Sequence, residues 1–167
     1  MIPHPCLDTC SATAVVAGKT VLVVADSDSL RTVVKLTLRT AGYTVVEADG
    51  GEDALALLDA HPAALIVCDL HLPQMDGLSL ARQVKATARH RFTPIVMLTP
   101  RSQASKSKKD EGRAAGVRAW ITRPFEPAQL VDAAARLCYF GIYSNCTANN
   151  KCDSKRLFKR RNSIAWH

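Results

Sequence analysis

The chain has 167 residues, with 22 Lys and Arg against 15 Asp and Glu, a formal charge of +7, and 47% hydrophobic and 22% charged residues. That length fits one domain, the composition excludes wholesale disorder, and no apolar run approaches the ~20 residues needed to cross a bilayer. The excess charge is local: residues 139–167 hold Lys151, Lys155, Arg156, Lys159, Arg160 and Arg161 against Asp153 alone, so it describes that tail more than the body.

Residues 1–18 carry scattered small residues and two prolines without a period, and read as a loose arm. The first basic residue is Lys19, so a secretory leader is not expected and a cytoplasmic setting with reduced thiols is. From Lys19 a regular pattern begins. Val21 to Val24 is a β-branched run of strand length, and Asp28 is placed to cap a helix whose apolar positions Leu30, Val33, Val34, Leu38 and Ala41 recur at helical spacing before Gly42. Tyr43 to Val46 is a second strand, and Glu52 to Ala60 a short Ala/Leu helix after Gly50 and Gly51. Ala64 to Cys68 is a third strand, apolar on both faces, and Leu78, Leu80, Ala81 and Val84 mark a third helix. Pro94 to Leu98 is a fourth strand, and residues 103–115 form a Lys-rich helix interrupted by Gly112. Arg118 to Thr122 is a fifth strand, and Glu126 to Leu137 a last helix.

Alternating strands and helices without polar alternation in the strands predict an α/β domain over residues 19–138, a doubly wound five-stranded parallel sheet with helices on both faces. The arm is 1–18 and the basic tail 139–167. Among the six cysteines, Cys68 lies in an apolar run and reads as a core residue. Cys6, Cys10, Cys138, Cys146 and Cys152 have spacings unlike a zinc site.

In such a sheet, sites lie beyond the carboxyl ends of the strands. The residues there are Asp26, Asp69, Thr99 and Arg123. Singly, each has an ordinary role as helix cap, turn residue or surface charge. Together they place two carboxylates, a hydroxyl and a guanidinium on one edge. Paired carboxylates with open positions suit Mg²⁺, and a cation and hydroxyl beside them suit a phosphoryl oxygen. The set points to phosphoryl binding or transfer to a carboxylate.

Residues 19–137 resemble the receiver domain of two-component response regulators, through Val21 to Asp26, Leu65 to Asp69, Ile95 to Thr99, Trp120 to Phe125 and the specific Asp-x-x-Leu-Pro-x-Met-Asp-Gly stretch from Asp69 to Gly77. Ser105 to Trp120 is most similar to single-domain chemotaxis regulators of the CheY type. The resemblance implies a flavodoxin-like fold and a phosphoacceptor at Asp69, supplied by a histidine kinase, a phosphotransfer protein or a small donor. It also implies Mg²⁺ held by Asp26, Asp69 and the His71 backbone carbonyl. Thr99 would bond the phosphoryl group and move toward it, and Trp120 would be the switch aromatic on a face presented to a downstream protein target. Arg123 would stand at the position of the family's usual cation, with Pro124 after a cis peptide and Pro73 and Gly77 shaping the loop. Such a protein is a phosphorelay signalling module rather than an enzyme, though it assists its own phosphorylation and dephosphorylation.

Two positions depart from that pattern. Ala25 replaces the first of a usual acidic pair, which lowers the negative charge available to Mg²⁺. Arg123 replaces a lysine, keeping the charge but exchanging a compact ammonium for a planar fork. A phosphorylation-independent pseudo-receiver is the alternative these departures favour. His71 and Arg101 flank the site and are candidates for tuning phosphoryl lifetime, His71 having an exposed loop position as its ordinary reading. An enzyme of flavin or phosphate-ester type is disfavoured because Ala25 to Ser29 contains no glycine to cradle a phosphate. The tail has no pair of amphipathic helices for reading DNA. It is expected to touch nucleic acid only nonspecifically, through its charge, Phe158 and Trp166. Asn145-Cys146-Thr147 matches a glycosylation triplet in form alone. No membrane partner is expected.

Overall fold

Five short β-branched runs assemble into one parallel sheet in the computed structural model, which describes residues 19–143, with side chains through 138. The strands are β1 (Thr20–Val24), β2 (Thr44–Ala48), β3 (Leu65–Asp69), β4 (Ile95–Pro100) and β5 (Ala119–Arg123), in the spatial order β2-β1-β3-β4-β5. The helices are α1 (Asp28–Thr40), α2 (Gly51–Ala60), α3 (Gly77–Ala86), α4 (Lys106–Ala114) and α5 (Pro127–Tyr143), with a 3₁₀ turn at Arg101–Gln103. All neighbouring strands are parallel, as strands joined by helical crossovers must be. The predicted doubly wound α/β sheet is present.

Because side chains alternate along each strand, the sheet has two apolar faces. Leu22, Val24, Ile66, Cys68, Ile95 and Met97 pack with Ala54 and Leu58 of α2 and Leu78, Leu80, Ala81 and Val84 of α3. Val21, Val23, Leu65, Val67, Val96, Leu98 and Ile121 pack with Val34 and Leu38 of α1 and Leu130, Ala134 and Cys138 of α5. Burial on both faces explains strands with no polar alternation. Cys68 is a free, buried core thiol, as its apolar run predicted.

Four local expectations are corrected. Ser27, not Asp28, caps α1, its side chain accepting from the Leu30 N–H at 3.4 Å; Asp28 is the first helical residue and pairs with Arg31 instead. Val33 is 49% exposed, because the core-facing stripe passes through Val34 and Leu38 and turns Val33 outward. The stretch 103–115 is divided: the 3₁₀ turn ends at Gln103, Ser105 accepts from the Lys108 N–H, and α4 starts at Lys106. At the other end α5 runs past Leu137 to Tyr143, crossing the expected 138/139 boundary; no proline interrupts those residues. Gly42 follows α1 in the left-handed region at φ 95°, as a residue closing a helix does. The arm 1–18, residues 144–167 and Cys6, Cys10, Cys146, Cys152 and Trp166 lie outside the described residues.

Candidate functional site

The topology brings the strand-end residues together. β1 lies between β2 and β3, and β3 between β1 and β4, so the carboxyl ends of β1, β3, β4 and β5 form one edge. Asp69 is the last residue of β3 and Arg123 the last of β5, each one residue deeper than the sequence reading placed it, while Thr99 is the penultimate residue of β4, two residues deeper. Register pairs Val24 with Cys68, which sets Ala25 beside Asp69 and Asp26 just beyond it.

Asp69 is 4% exposed. A carboxylate removed from water needs compensating donors. Arg123 Nη2 donates to Asp69 Oδ1 at 3.3 Å, and the His71 backbone N–H approaches the same oxygen at 3.5 Å. Among the described residues nothing bonds to Oδ2. Arg123 is itself partly buried, with its Nε shielded and unpartnered, so its guanidinium faces into the site rather than into water. It is followed by a cis peptide to Pro124, as expected.

Thr99 is fully buried, and its hydroxyl has only a 3.5 Å approach to the Pro100 carbonyl, at the outer limit of a hydrogen bond. That leaves a hydroxyl close to unengaged at the end of β4. Asp26, by contrast, is exposed, and Ala25 beside it is completely buried. Asp26, Asp69 and the His71 carbonyl are hard oxygen donors of the type a divalent cation takes with water completing the shell. The set fits such an ion with one carboxylate fewer than a full acidic pair would give. Among the described residues no three His, Cys, Asp or Glu side chains converge as a larger cluster.

The loop after β3 is shaped by close approach. A Cβ on Gly77 would lie 2.9 Å from Met97 Sδ and 3.1 Å from Leu70 Cα, and nearer still to the Asp69 carbonyl, so only glycine lets α3 begin against the end of β3. Gln74 in this loop takes φ 66°, a conformation uncommon for a side-chain-bearing residue. Asp76 caps α3, accepting from the Ser79 N–H at 2.8 Å; bonds to Ser79, and then Arg82 and Lys108, hold its carboxyl below the usual range against the opposing effect of burial. Burial, with Asp69 and Asp76 adding negative charge, pushes the Cys68 thiol far up, so it is no nucleophile at neutral pH.

Two features escaped the sequence reading. Gln103 crosses from the 3₁₀ turn to meet His71, Oε1 to Nε2 at 2.5 Å, joining the loops after β3 and β4. Arg31 reaches back from α1 to the Ala25 carbonyl at 2.8 Å and pairs with Glu47. Neither contact leaves a trace in spacing, because each links residues whose proximity the fold creates. Arg101, the other flanking candidate, is exposed at the start of the turn. Trp120 is half-buried and lies opposite Met97 in the β4–β5 register; Thr99, two residues beyond Met97, shares its sheet face.

Residues 21–135 match the response regulator receiver domain family. The transcriptional regulatory protein SrrA of Staphylococcus aureus is 33% identical over 111 residues, which cover 66% of this chain and 44% of that relative; the chain thus spans less than half its length. Among solved structures, the chemotaxis protein CheY4 of Vibrio cholerae has 37% identity and a TM-score of 0.68, covering 72% of this chain and 99% of that one. The receiver domain of sensor histidine kinase PA1611 from Pseudomonas aeruginosa PAO1, solved with magnesium coordinated in its active-site cleft, has 29% identity and a TM-score of 0.67, covering 74% and 99%.

Proposed function

The chain belongs to the response regulator receiver domain family, and from that premise we propose that it is a phosphorylation-controlled module of a two-component phosphorelay with Asp69 as its phosphoacceptor. The observation that carries this reading is the buried Asp69 carboxylate, gripped on Oδ1 by Arg123 while Oδ2 stays open. Oδ2 is the nucleophile. It attacks the phosphorus of a phosphohistidine on a histidine kinase or phosphotransfer protein, or of a small phosphodonor. An Oδ2–P bond forms as the donor's P–N or P–O bond breaks, and the leaving group takes the electron pair and a proton from solvent. The guanidinium of Arg123 neutralises charge on the phosphoryl oxygens, and the buried Thr99 hydroxyl donates to one of them. Mg²⁺, when bound through Asp26, Asp69 and the His71 carbonyl, supplies further charge neutralisation. Trp120 then relays the change along β4–β5 to a surface recognised by a downstream protein target. No helix of the described residues is long and apolar enough to cross a membrane, and the setting proposed is cytoplasmic, with the basic run from Lys151 to Arg161 following the receiver.

Mass-spectrometric or Phos-tag analysis after treatment with Mg²⁺ and acetyl phosphate tests the reading. An adduct on Asp69 that disappears in Asp69→Asn is expected. A second reading, a pseudo-receiver that binds partners without phosphorylation, is favoured by one observation: Ala25, fully buried beside Asp69, supplies no carboxylate for the metal. No adduct under conditions that label an ordinary receiver selects it.

A further inference from the structure

Gly112 stands in the interior of α4, where glycine is less favourable than alanine because it adds backbone freedom to the unfolded chain. It is buried, so solvent exposure does not explain it. The three heavy atoms nearest a Cβ built on Gly112 all belong to the Trp120 indole: it would lie 2.8 Å from Cε2 and 3.0 Å from Nε1, and closer still to Cζ2. Real Cβ atoms do not tolerate such distances, and the ring is a rigid plane with no flexible end to yield. The ring packs against the core that contains Ala115, Val117 and Met97. Its Nε1–H is shielded from solvent and has no hydrogen-bond partner.

We infer that Gly112 is a notch in α4 that seats the Trp120 indole, and that this missing methyl group decides whether the ring rests inside or outside the α4–β5 face. Two opposed terms meet in the seat. Burying the aromatic ring favours the inward position, and leaving the indole N–H unpaired opposes it. The inward state is therefore held against a cost that outward rotation removes, since water can then accept from Nε1. Alanine at position 112 removes the inward option by sterics. The seat lies on the same sheet face as Thr99, one strand over from Met97, so a displacement of the Thr99 end of β4 bears on it directly. That emptying the seat carries a signal rests on the receiver reading above; the existence of the seat does not.

A double-mutant cycle on the full chain tests it, in a Trp166→Phe background so that Trp120 is the sole tryptophan. Gly112→Ala is expected to lower Tm by roughly 4 °C while Trp120 is present. It is expected to raise Tm when combined with Trp120→Ala, because the helix then gains from alanine and the indole atoms nearest the added methyl are gone. Trp120 emission in Gly112→Ala shifts to the red and acrylamide quenching rises, without any phosphodonor. Should the single variant fail to fold, a folded double variant supports the seat equally, and an unfolded double variant overturns it. A rise in Tm in both backgrounds with unchanged quenching also overturns it. Acetyl phosphate with Mg²⁺ separates the two proposals: a sign reversal in the cycle together with no adduct and no fluorescence response in the Gly112 protein keeps the seat and rejects the phosphorylation reading.

Discussion

The ends of β1 and β3 stand side by side in the sheet, yet they treat charge in opposite ways. At β3, Asp69 is buried and a cation from two strands away is brought to it: Arg123 Nη2 on Oδ1 at 3.3 Å. At β1 the buried position is Ala25, and the carboxylate of Asp26 stays in solvent. A buried carboxylate is tolerated only with its compensation in place, whereas an exposed one needs none. The difference divides the site into a preorganised half, built around the carboxylate of Asp69, and a solvated half, where a metal ion taken up as proposed would draw most of its ligands from water.

The hardest test of this division is Arg123→Ala. It strands the Asp69 carboxylate, and unfolding in urea should show a loss of about 1–3 kcal/mol at neutral pH, with part regained in Asp69→Ala/Arg123→Ala. If the single variant is as stable as the parent, Asp69 is better hydrated than its burial indicates and the contrast collapses. Ala25→Asp would make the two halves alike. Titration calorimetry should show Mg²⁺ binding tightened by about tenfold, equivalent to roughly 1.4 kcal/mol. The same substitution, at a fully buried position, should lower Tm without Mg²⁺ and recover it when Mg²⁺ is added.

Asp76 sharpens the comparison from just outside the site, since its charge is stabilised by a helix N-terminus rather than by a cation. Asp76→Ala should cost about 1 kcal/mol at neutral pH, the usual worth of an N-cap. The folded carboxyl titrates below its ordinary value of 3.8, so the ionised cap's contribution is complete above that value and is lost as pH falls through the lower folded one. The gap between variant and parent in denaturant unfolding should accordingly narrow in strong acid; a gap constant down to that range would mean the carboxylate charge is not what caps α3. The smallest effect belongs to Asp28, whose side chain is 88% exposed beside Arg31. Asp28→Ala should change stability by no more than about 0.5 kcal/mol, and a larger loss would show that solvated carboxylates near β1 matter more than the comparison allows.

Much of this was legible from residue order. The five apolar strand runs, the turn from Asp69 to Gly77 and the positions of Asp26, Asp69, Thr99 and Arg123 each follow from local composition and from where a parallel sheet puts its strand ends. The capping of α1 was misjudged because Ser27 and Asp28 are both good capping residues, and only the helix's first turn distinguishes them. Val33 looked like core because apolar character marks a candidate face without fixing its rotation. The His71–Gln103 and Arg31–Ala25 contacts were beyond reach, since side chains that meet through loops carry no period.

Residue order by itself determined which functional groups the strand ends carry, because a carboxylate, a hydroxyl and a guanidinium are chemical identities that no packing can change. It also determined what is missing, the acid that Ala25 does not supply. The tertiary structure decided that the two carboxylates differ in setting, Asp69 buried with a partner on Oδ1 and Asp26 in solvent, because burial and partnership are properties of position. It decided as well why a glycine sits inside α4: the indole that needs the space comes from another strand, and only folding brings them within contact.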